Sequence, residues 1–521
     1  MNILNFRKYH FSAILFLTFF LSESIAQKNH TISGTIYDGL TGETLIGAAV
    51  VLSAEPTMGV STNTYGFYSL TLPEGEHEIT ISYVGYKMIR QHISLTKNIT
   101  LDFKITEDSQ LLGEVVITAE KNNDQITKSG MGVEKLNIKE IKKIPVLFGE
   151  QDVMKVLTLT PGVKTTGEGS GGIYVRGGNS SQNLILLDEA IVYNPNHLLG
   201  FFSTFNSDAI KDLTLYKGTA PAEYGGRTSS VMDVKMNDGI GLISSRLNVE
   251  GPIEKDEGSF LVTGRRTYAD LFLKLSPDSV VSGNKLYFYD LNLKTNYKIN
   301  DNNRIFLSGY FGRDVLSFNQ RFGIDWGNTT GTLRWNRIWN PKLFSNTSLI
   351  YSDYDYRVKI TRDVDEFSLN SIIKNWNFKQ EFDYYVNNKN NFKFGISSIY
   401  HTITPGQVEV SEGSDINPTV LQDRYAFENG LFFSHIWKPT SKINIEYGAR
   451  LSSFNLLGGG DFYSYKDGEI IDSTHYDKGK IVKTYVNIEP RFNMAYIMDE
   501  TQSFKLSYTR NTQNLHLLQN S

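Results

Sequence analysis

Apolar and polar residues alternate along the second half of the chain, which predicts long β-strands. In YDLNLKTNYKIN (residues 289–300), the odd-numbered positions are apolar or aromatic except for one Thr, and the even-numbered positions hold only Asp, Asn or Lys. INIEYGARL (443–451) and YVNIEPRFNMAY (485–496) repeat this pattern. A face this charged cannot pack as a core, and a face this apolar should not meet water. A membrane-spanning β-barrel, with lipid outside and a wet lumen inside, satisfies both faces.

Six short polar segments interrupt this region, with longer segments rich in Gly, Asp and Ser between them. The short segments are residues 254–258, 300–303, 340–342, 387–391, 439–442 and 499–502. Bacterial barrels have short periplasmic turns and long outer loops, so six turns predict about 12 strands. Plugged outer-membrane transporters close with about 22 strands. We therefore expect residues 239–521 to form part of a transmembrane antiparallel barrel. A complete barrel of about 12 strands is the alternative, with a lumen cramped for a plug.

Two smaller domains are predicted before the barrel. In EITISYVGY, Ile79, Ile81 and Tyr83 alternate with small polar residues, and several such short strands within residues 27–107 predict a small β-sandwich. Residues 122–238 mix a short helix, DVMKVLTL, with strands such as NLILLDEAIVY, which predicts a small α+β domain. The predicted fold class is therefore mainly β.

The first 26 residues have the pattern of a secretory signal peptide. Arg7 and Lys8 precede an apolar run at 11–21, and Ser-Ile-Ala at 24–26 provides a cleavage site. The apolar run is short for a membrane-spanning helix, which needs about 20 residues. The chain has no cysteine, so we expect an exported protein without disulfides, thiolate metal sites or a cysteine nucleophile.

The composition and motifs argue against several classes of function. A formal net charge of −4 is not that of a polycation that binds nucleic acid. The glycine-rich GEGSGGIYVRGG leads into a strand instead of a helix, so it is not a dinucleotide loop. The sequence has no P-loop, GxSxG or HExxH motif, and its nine histidines lack ligand spacing. We expect no enzyme activity, no cofactor and no metal site.

Residues 27–107 resemble a known domain. The segments ISGTIYDGLTGETLIGAAVVL and GVSTNTYGFYSLTLPEGEHEITISYVGY look like the carboxypeptidase-regulatory-like domain, a transthyretin-like sandwich. That domain often precedes outer-membrane receptors of Bacteroidetes-type bacteria. No HxxE-type zinc pair is present, so the resemblance implies a non-catalytic domain.

Residues 122–238 resemble the plug domain of TonB-dependent receptors, in which spaced motifs recur in a fixed order. They begin here with Pro161-Gly162-Val163. The others are Arg176, Gly177, Gly178, the LLD-x strand end at Asp188, Gly218 after Lys217, and the block Tyr224, Gly225, Gly226 and Arg227. The resemblance implies a plug that closes the barrel lumen. The segment IYVRGG resembles the shorter receptor branch, in which a lipoprotein lid partner is less expected than in the glycan-import branch.

The linker at 108–121 holds one apolar island, LLGEVVITAEK. Within it, Glu114, Val115, Val116, Ile117, Thr118 and Ala119 resemble the TonB box. A β-prone segment flanked by polar residues can add as a strand to the sheet edge of a partner. The resemblance implies that the TonB energy-transducing complex binds here from the periplasm. A last edge strand of the sandwich is the alternative.

Arg176 and Arg227 are the notable charges of the plug. One interpretation pairs them with plug acids such as Asp188. The other is a plug–barrel latch with lumen-facing carboxylates, for which Glu446 and Glu489 have the required strand parity. Family plugs pair arginines with barrel acids, so the resemblance favours a latch in kind and leaves the pairs unassigned.

The resemblance implies TonB-dependent import of a scarce extracellular ligand across the bacterial outer membrane. The sandwich lies on the periplasmic side, the plug in the lumen, and membrane lipid surrounds the barrel. Asn194, Asn196 and His197 in NPNHLLGFF are candidate ligand-facing residues. An iron chelate, a vitamin, a peptide or a small glycan all remain open as ligands. A non-transporting binding protein, such as an adhesin or sensor on the same barrel, is the alternative.

Overall fold

The structure, a computed structural model, describes most of the chain from residue 28 to residue 516. The described ranges are 28–39, 41–108, 128–137, 152–165, 172–200, 202–207, 209–237, 247–254, 257–267, 269–319, 321–362, 365–410, 421–499 and 501–516. The predicted signal peptide and the TonB-box-like residues 114–119 lie outside these ranges.

The N-terminal domain is a β-sandwich, as predicted. Its strands are β1 (Asn29–Asp38), β2 (Ala49–Leu52), β3 (Glu55–Ser61), β4 (Phe67–Pro73), β5 (Gly75–Ser82), β6 (Ile89–Leu95), β7 (Ile99–Thr100) and β8 (Phe103–Ile105). One sheet has the order β4-β1-β7 with β8 also paired to β1, and the other has the order β3-β2-β5-β6. Ile79 and Ile81 are fully buried between the sheets, as predicted, but Thr80 between them is buried as well.

The plug is built around a five-stranded sheet. Its elements are β9 (Val133–Asn137), α1 (Val153–Thr158), β10 (Val163–Lys164), β11 (Tyr174–Val175), β12 (Asn183–Leu187), β13 (Ala190–Ile191), β14 (Asn196–His197), β15 (Phe202–Ser203), β16 (Ile210–Tyr216) and β17 (Ser230–Met236). The sheet order is β13-β12-β17-β16-β9. Asp152 caps α1 by accepting hydrogen bonds from the amides of Met154 and Lys155, and Val153 and Leu157 are fully buried. The predicted α+β domain is confirmed.

Twelve long strands form one antiparallel sheet after the plug. They are β18 (Leu247–Glu254), β19 (Gly258–Arg266), β20 (Lys285–Asn300), β21 (Asn303–Phe318), β22 (Phe322–Asn340), β23 (Leu343–Arg362), β24 (Asp365–Asn387), β25 (Asn390–Val410), β26 (Arg424–Thr440), β27 (Ile443–Leu457), β30 (Ile481–Ile497) and β31 (Ser503–Thr509). A separate hairpin of β28 (Gly460–Lys466) and β29 (Glu469–Tyr476) lies between β27 and β30. Two short helices, α2 (Ala269–Lys274) and α3 (Ser279–Ser282), precede β20.

The strand registers confirm the predicted faces and all six short turns. Leu291 and Leu293 are 48% and 38% exposed on the outer face, whereas Asp290 and Lys294 are each 3% exposed on the inner face. Some opposite connections are shorter than expected, because β23 and β24 have 20 and 23 residues where a membrane crossing needs about 9–11. These strands therefore continue past the lipid instead of giving way to loops. Of the helices in the described ranges, none has the length and apolarity to cross a membrane.

Candidate functional site at the plug–barrel interface

The turn between β12 and β13 carries two acidic residues with unusual backbone conformations. Leu187 pairs with Ala190 across a two-residue loop, and the loop residues Asp188 and Glu189 have φ of 45° and 74°. Positive φ at both central residues is the geometry of the tight hairpin turns that normally use Asn or Gly. Holding an Asp and a Glu there costs about 1–3 kcal/mol each, and the turn presents both carboxylates to the barrel wall.

Asp188 pairs with a buried lysine of the barrel. Lys294 Nζ lies 3.2 Å from its Oδ2, with only 4% and 3% of the two side chains exposed, and Nζ also donates to the Met236 carbonyl at 2.7 Å. Thr332 Oγ1 donates to the Asp188 carbonyl at 2.9 Å. Burial raises the pKa of Asp188, but the charges of Lys294 and Arg334 outweigh it, and the net pKa is lowered. Asp188 therefore stays ionised inside the lumen.

Glu189 meets a second barrel base. Arg334 Nη1 lies 3.6 Å from Oε1, and Asn346 Nδ2 donates to the same oxygen at 3.3 Å. Burial raises the pKa of Glu189, and Lys379, Lys235 and Arg334 together lower it below its ordinary value. Both carboxylates of the turn are thus held by cations, three of which, Lys294, Arg334 and Lys379, belong to the barrel wall.

A second set of contacts between plug and barrel lies at residues 220–224 of the plug. Glu223 accepts from Lys393 Nζ of β25 at 3.1 Å. Arg491 of β30 donates to the carbonyls of Ala220 at 2.8 Å and Tyr224 at 2.6 Å, and also to the Pro221 carbonyl. Barrel cations therefore bind this plug segment largely through hydrogen bonds to its backbone carbonyls.

His197 makes the third set of contacts between plug and barrel, and here the barrel supplies the acids. Its Nδ1 lies 2.6 Å from Asp314 Oδ2, and its Nε2 lies 3.3 Å from Asp290 Oδ2. The ring stacks on Phe288 with a centroid distance of 4.1 Å, and Arg265 Nε donates to Asp290 at 2.8 Å. Burial lowers the pKa of His197, but the two facing carboxylates outweigh it and the net pKa is raised. A protonated imidazole is therefore favoured between two buried acids.

We name these three sets of contacts, at residues 188–189, 197 and 220–224 of the plug, the plug latch. They differ from the predicted pairs. Arg176 is exposed with φ of 48°, and among the described residues no carboxylate lies within ion-pair distance of it. Arg227 donates to the Gly226 carbonyl at 2.8 Å and acts on the barrel acid Glu428 only through its charge. The ion pairs of Asp188, Glu189 and Glu223 join plug acids to barrel bases, the reverse of the expected polarity, whereas His197 lies between barrel acids.

The two predicted barrel acids lie near the latch without pairing with a plug arginine. Glu489 is fully buried and accepts from Ser452 Oγ at 2.7 Å and Thr512 Oγ1 at 2.7 Å. Its Oε2 lies 3.4 Å from Arg491, the residue that clasps the plug backbone. Glu446 interacts with Asn493 of β30 and with the charge of Glu223. Glu489 thus orients a latch residue, while Glu446 faces a plug acid.

The glycines of the predicted plug motif permit close approach to the barrel. A Cβ on Gly226, whose φ is +76°, would lie 2.8 Å from Glu428 Oε1, and one on Gly225 would clash with Arg450. Gly218 has φ of +98°. Gly177 also has positive φ, +81°, but a Cβ there would meet nothing within 4 Å. Tyr224 OH donates to Asp233 at 2.9 Å.

Asn194 and Asn196, two of the predicted ligand-facing residues, contact the barrel wall. Asn328 Nδ2 donates to the Asn194 carbonyl at 2.9 Å, and Trp326 Nε1 donates to the Asn196 carbonyl at 3.3 Å. His197 is 1% exposed. Direct ligand contact stays a prediction for these residues. In the structure all three residues contact the barrel wall.

A cavity separates part of the plug sheet from the barrel wall. Its charged lining includes Glu189, Glu223, Lys379, Glu381, Lys393 and Glu428. Strand parity could have found the barrel members of this set, because Lys379 and Lys393 occupy inward positions of β24 and β25. Their plug partners carry no sequence signal. Within the described ranges, no group of three or more His, Asp or Glu side chains is placed to hold a metal.

Comparison with known proteins agrees with this architecture. Residues 32–117 match the CarboxypepD_reg-like domain, and residues 129–231 match the TonB-dependent Receptor Plug Domain. None of the curated proteins matches the chain in sequence.

Solved transporters share the fold at low sequence identity. The copper transporter OprC is 12% identical with a TM-score of 0.51, over 71% of this chain and 62% of that chain. The FrpB iron transporter from Neisseria meningitidis is 14% identical with a TM-score of 0.53, over 75% and 66%. The ferric-catecholate import receptor Fiu from E. coli K12 is 12% identical with a TM-score of 0.51, over 75% and 70%. The chain thus spans 62–66% of the length of the first two.

The chain therefore carries a CarboxypepD_reg-like domain and a TonB-dependent receptor plug domain, and its fold is that of the TonB-dependent receptors.

Proposed function

We propose that the protein imports a scarce ligand across the outer membrane, and that TonB opens the plug by pulling on residues 114–119. The observation that carries this proposal is the plug latch. A folded domain that fills the lumen and is fastened by ion pairs such as Lys294–Asp188 can be released without breaking a covalent bond. The chain has no nucleotide-binding motif, and a pulling partner supplies the energy from outside.

Metal chelates are the first ligands to test, with vitamins, peptides and small glycans as further classes. The names of the structural relatives mention copper, iron and ferric-catecholate. The wall of the cavity between the plug sheet and the barrel carries cations such as Lys379 and Lys393 beside carboxylates, so it offers a polar chelate charges of both signs.

The proposal is tested with prolines in the TonB-box-like segment. Val115→Pro with Val116→Pro removes the backbone donors that a strand added to TonB needs. The matched control is Asn122→Pro with Asn123→Pro, in the adjoining linker. Cells with this protein as their only receptor are given radiolabelled ferric and cupric chelates. We expect TonB-dependent uptake to be lost in the first variant and kept in the control.

If the Val115→Pro, Val116→Pro variant keeps the same uptake as the control at normal protein levels, the importer proposal is wrong. That result would favour a non-transporting binding protein on the same barrel. The same outcome would favour the interpretation of residues 114–119 as a last strand of the sandwich, since the CarboxypepD_reg-like match extends to residue 117.

A further inference from the structure

The N-terminal sandwich rests on the short turns of the barrel. Ser69 Oγ donates to the Pro341 carbonyl at 2.7 Å. Asn388 Oδ1 accepts from the Thr71 amide at 2.8 Å, and Asn388 Nδ2 donates to the Thr71 carbonyl at 2.7 Å. Both sandwich residues belong to β4, an edge strand that pairs only with β1 among the described strands. The barrel turns therefore cover a sheet edge that would otherwise be open.

An aromatic cluster joins the two domains at the same place. Phe67 lies 5.4 Å from Phe344 and 5.8 Å from Tyr385, measured between ring centroids, and Tyr65 lies 5.4 Å from Phe344. All four side chains are between 1% and 8% exposed. Phe344 and Tyr385 stand at the ends of β23 and β24, so the sandwich inserts two rings into the barrel mouth.

Polar contacts extend from the sandwich into the lumen. Asn63 Nδ2 donates to Asp383 Oδ2 of β24 at 3.1 Å. Tyr65 OH donates to Glu189 Oε1 at 3.4 Å, and that oxygen is the one that faces Arg334. Tyr65 thus touches the acidic turn of the plug from the mouth of the barrel.

The plug also contacts the sandwich directly. Lys211 Nζ donates to the Thr44 carbonyl at 2.5 Å and lies 3.5 Å from Glu43 Oε2. The sandwich therefore bridges the barrel wall and the plug, and it does so on the side of the short turns, which is the periplasmic side in bacterial barrels.

We propose that the N-terminal sandwich is a periplasmic cap that is docked on the barrel mouth and stabilises the closed plug by placing Tyr65 on Glu189. The further consequence, that the cap undocks before the plug opens, rests on the import function proposed above. Residues 114–119 lie in sequence between β8, the last strand of the cap, and β9, the first strand of the plug.

A pull on residues 114–119 applies force to both the cap and the plug, which precede and follow this segment in sequence. β8 pairs with β1 over only three residues, and β9 is the edge strand of the plug sheet. Both β8 and β9 are short and lie at sheet margins, so few hydrogen bonds have to break before either strand leaves its sheet. The arrangement lets one partner displace the cap first and then loosen the plug.

The cap is tested by hydrogen exchange of the purified full-length protein in detergent micelles, without TonB or ligand. Tyr65→Phe removes the hydroxyl that meets Glu189. The matched control is Tyr68→Phe, whose hydroxyl bonds to the Leu101 carbonyl within the sandwich. We expect amides at 184–192 to exchange about 2- to 10-fold faster in the first variant, the range for one lost buried hydrogen bond, and at the wild-type rate in the control.

A second variant tests docking separately from Tyr65. Asn388→Ala removes both bonds to β4, and we expect faster exchange at 67–73 with the barrel strands unchanged. Wild-type exchange at 184–192 in Tyr65→Phe would overturn the coupling of cap to plug. An unprotected Thr71 amide in the wild-type protein would overturn the docking itself, because that amide donates to Asn388. Neither result depends on import, so the cap and the proposed function can fail independently.

Discussion

His197 on the plug and Asp314 on β21 are joined by a contact of 2.6 Å between Nδ1 and Oδ2, with 1% and 2% of their side chains exposed. Asp290 faces the other ring nitrogen at 3.3 Å, and Arg265 and Tyr310 complete the polar surroundings. A cationic imidazole between two carboxylates is balanced by them, whereas a neutral imidazole leaves more buried negative charge uncompensated.

Between pH 5.5 and 9 the closed plug is therefore expected to be more stable at the lower end of the range. Because the folded pKa of His197 is raised, its contribution is complete below about 6.5, the ordinary value, and is lost as the pH rises through the raised pKa. Hydrogen exchange of β14 and β15 from pH 5.5 to 9 measures the opening free energy, corrected for intrinsic exchange. His197→Gln should flatten this profile, and an unchanged slope in that variant would show that another group titrates.

Lys294→Met should destabilise the closed plug by about 3–5 kcal/mol, because it leaves the buried Asp188 carboxylate without its barrel cation. Adding Asp188→Asn should recover most of this loss, since the neutral amide needs no counter-charge. Urea titration followed by exchange of β12 amides measures both variants. If the double variant is as unstable as the single one, the charge pair is not the cause.

The expectations from sequence succeeded where a single strand or turn contained the whole signal. Alternation placed Asp290 and Lys294 in the lumen, and the turn residues located the six short turns between barrel strands. The ends of β12 and α1 followed from Asp188 and from the Pro161-Gly162 pair. These features depend on local geometry, so no distant partner had to be known.

The pairs of the latch could not be derived in this way. Strand parity tells which side chains enter the lumen, but it does not tell the height or rotation of the plug inside the barrel. Arg176 therefore looked equivalent to any other lumen-facing cation, although in the structure it is exposed. Glu189 carried no signal before its partner Arg334 was placed. Tyr65 and Phe67 looked like sandwich residues, because the barrel mouth that buries them is more than 250 residues away.

Gly226→Ala should destabilise the plug more than Gly177→Ala. Both positions have positive φ, so both substitutions carry the backbone cost of about 1 kcal/mol or more. Only the first places a methyl group 2.8 Å from Glu428 on the barrel. Comparing the opening free energies of the two variants isolates the contact with the wall, and equal losses would mean that the motif serves backbone conformation alone.

The most direct test of the central claim is to lock the plug to the barrel. Asn328 Nδ2 donates to the Asn194 carbonyl at 2.9 Å, and the chain has no cysteine of its own. Asn194→Cys with Asn328→Cys can therefore be joined by a disulfide or a short reducible linker. The measurement is TonB-dependent uptake of a radiolabelled chelate before and after reduction, with each single cysteine variant as control. The account predicts loss of uptake when the link is closed and recovery when it is reduced, whereas full uptake with the link intact would contradict an importer that opens by moving its plug.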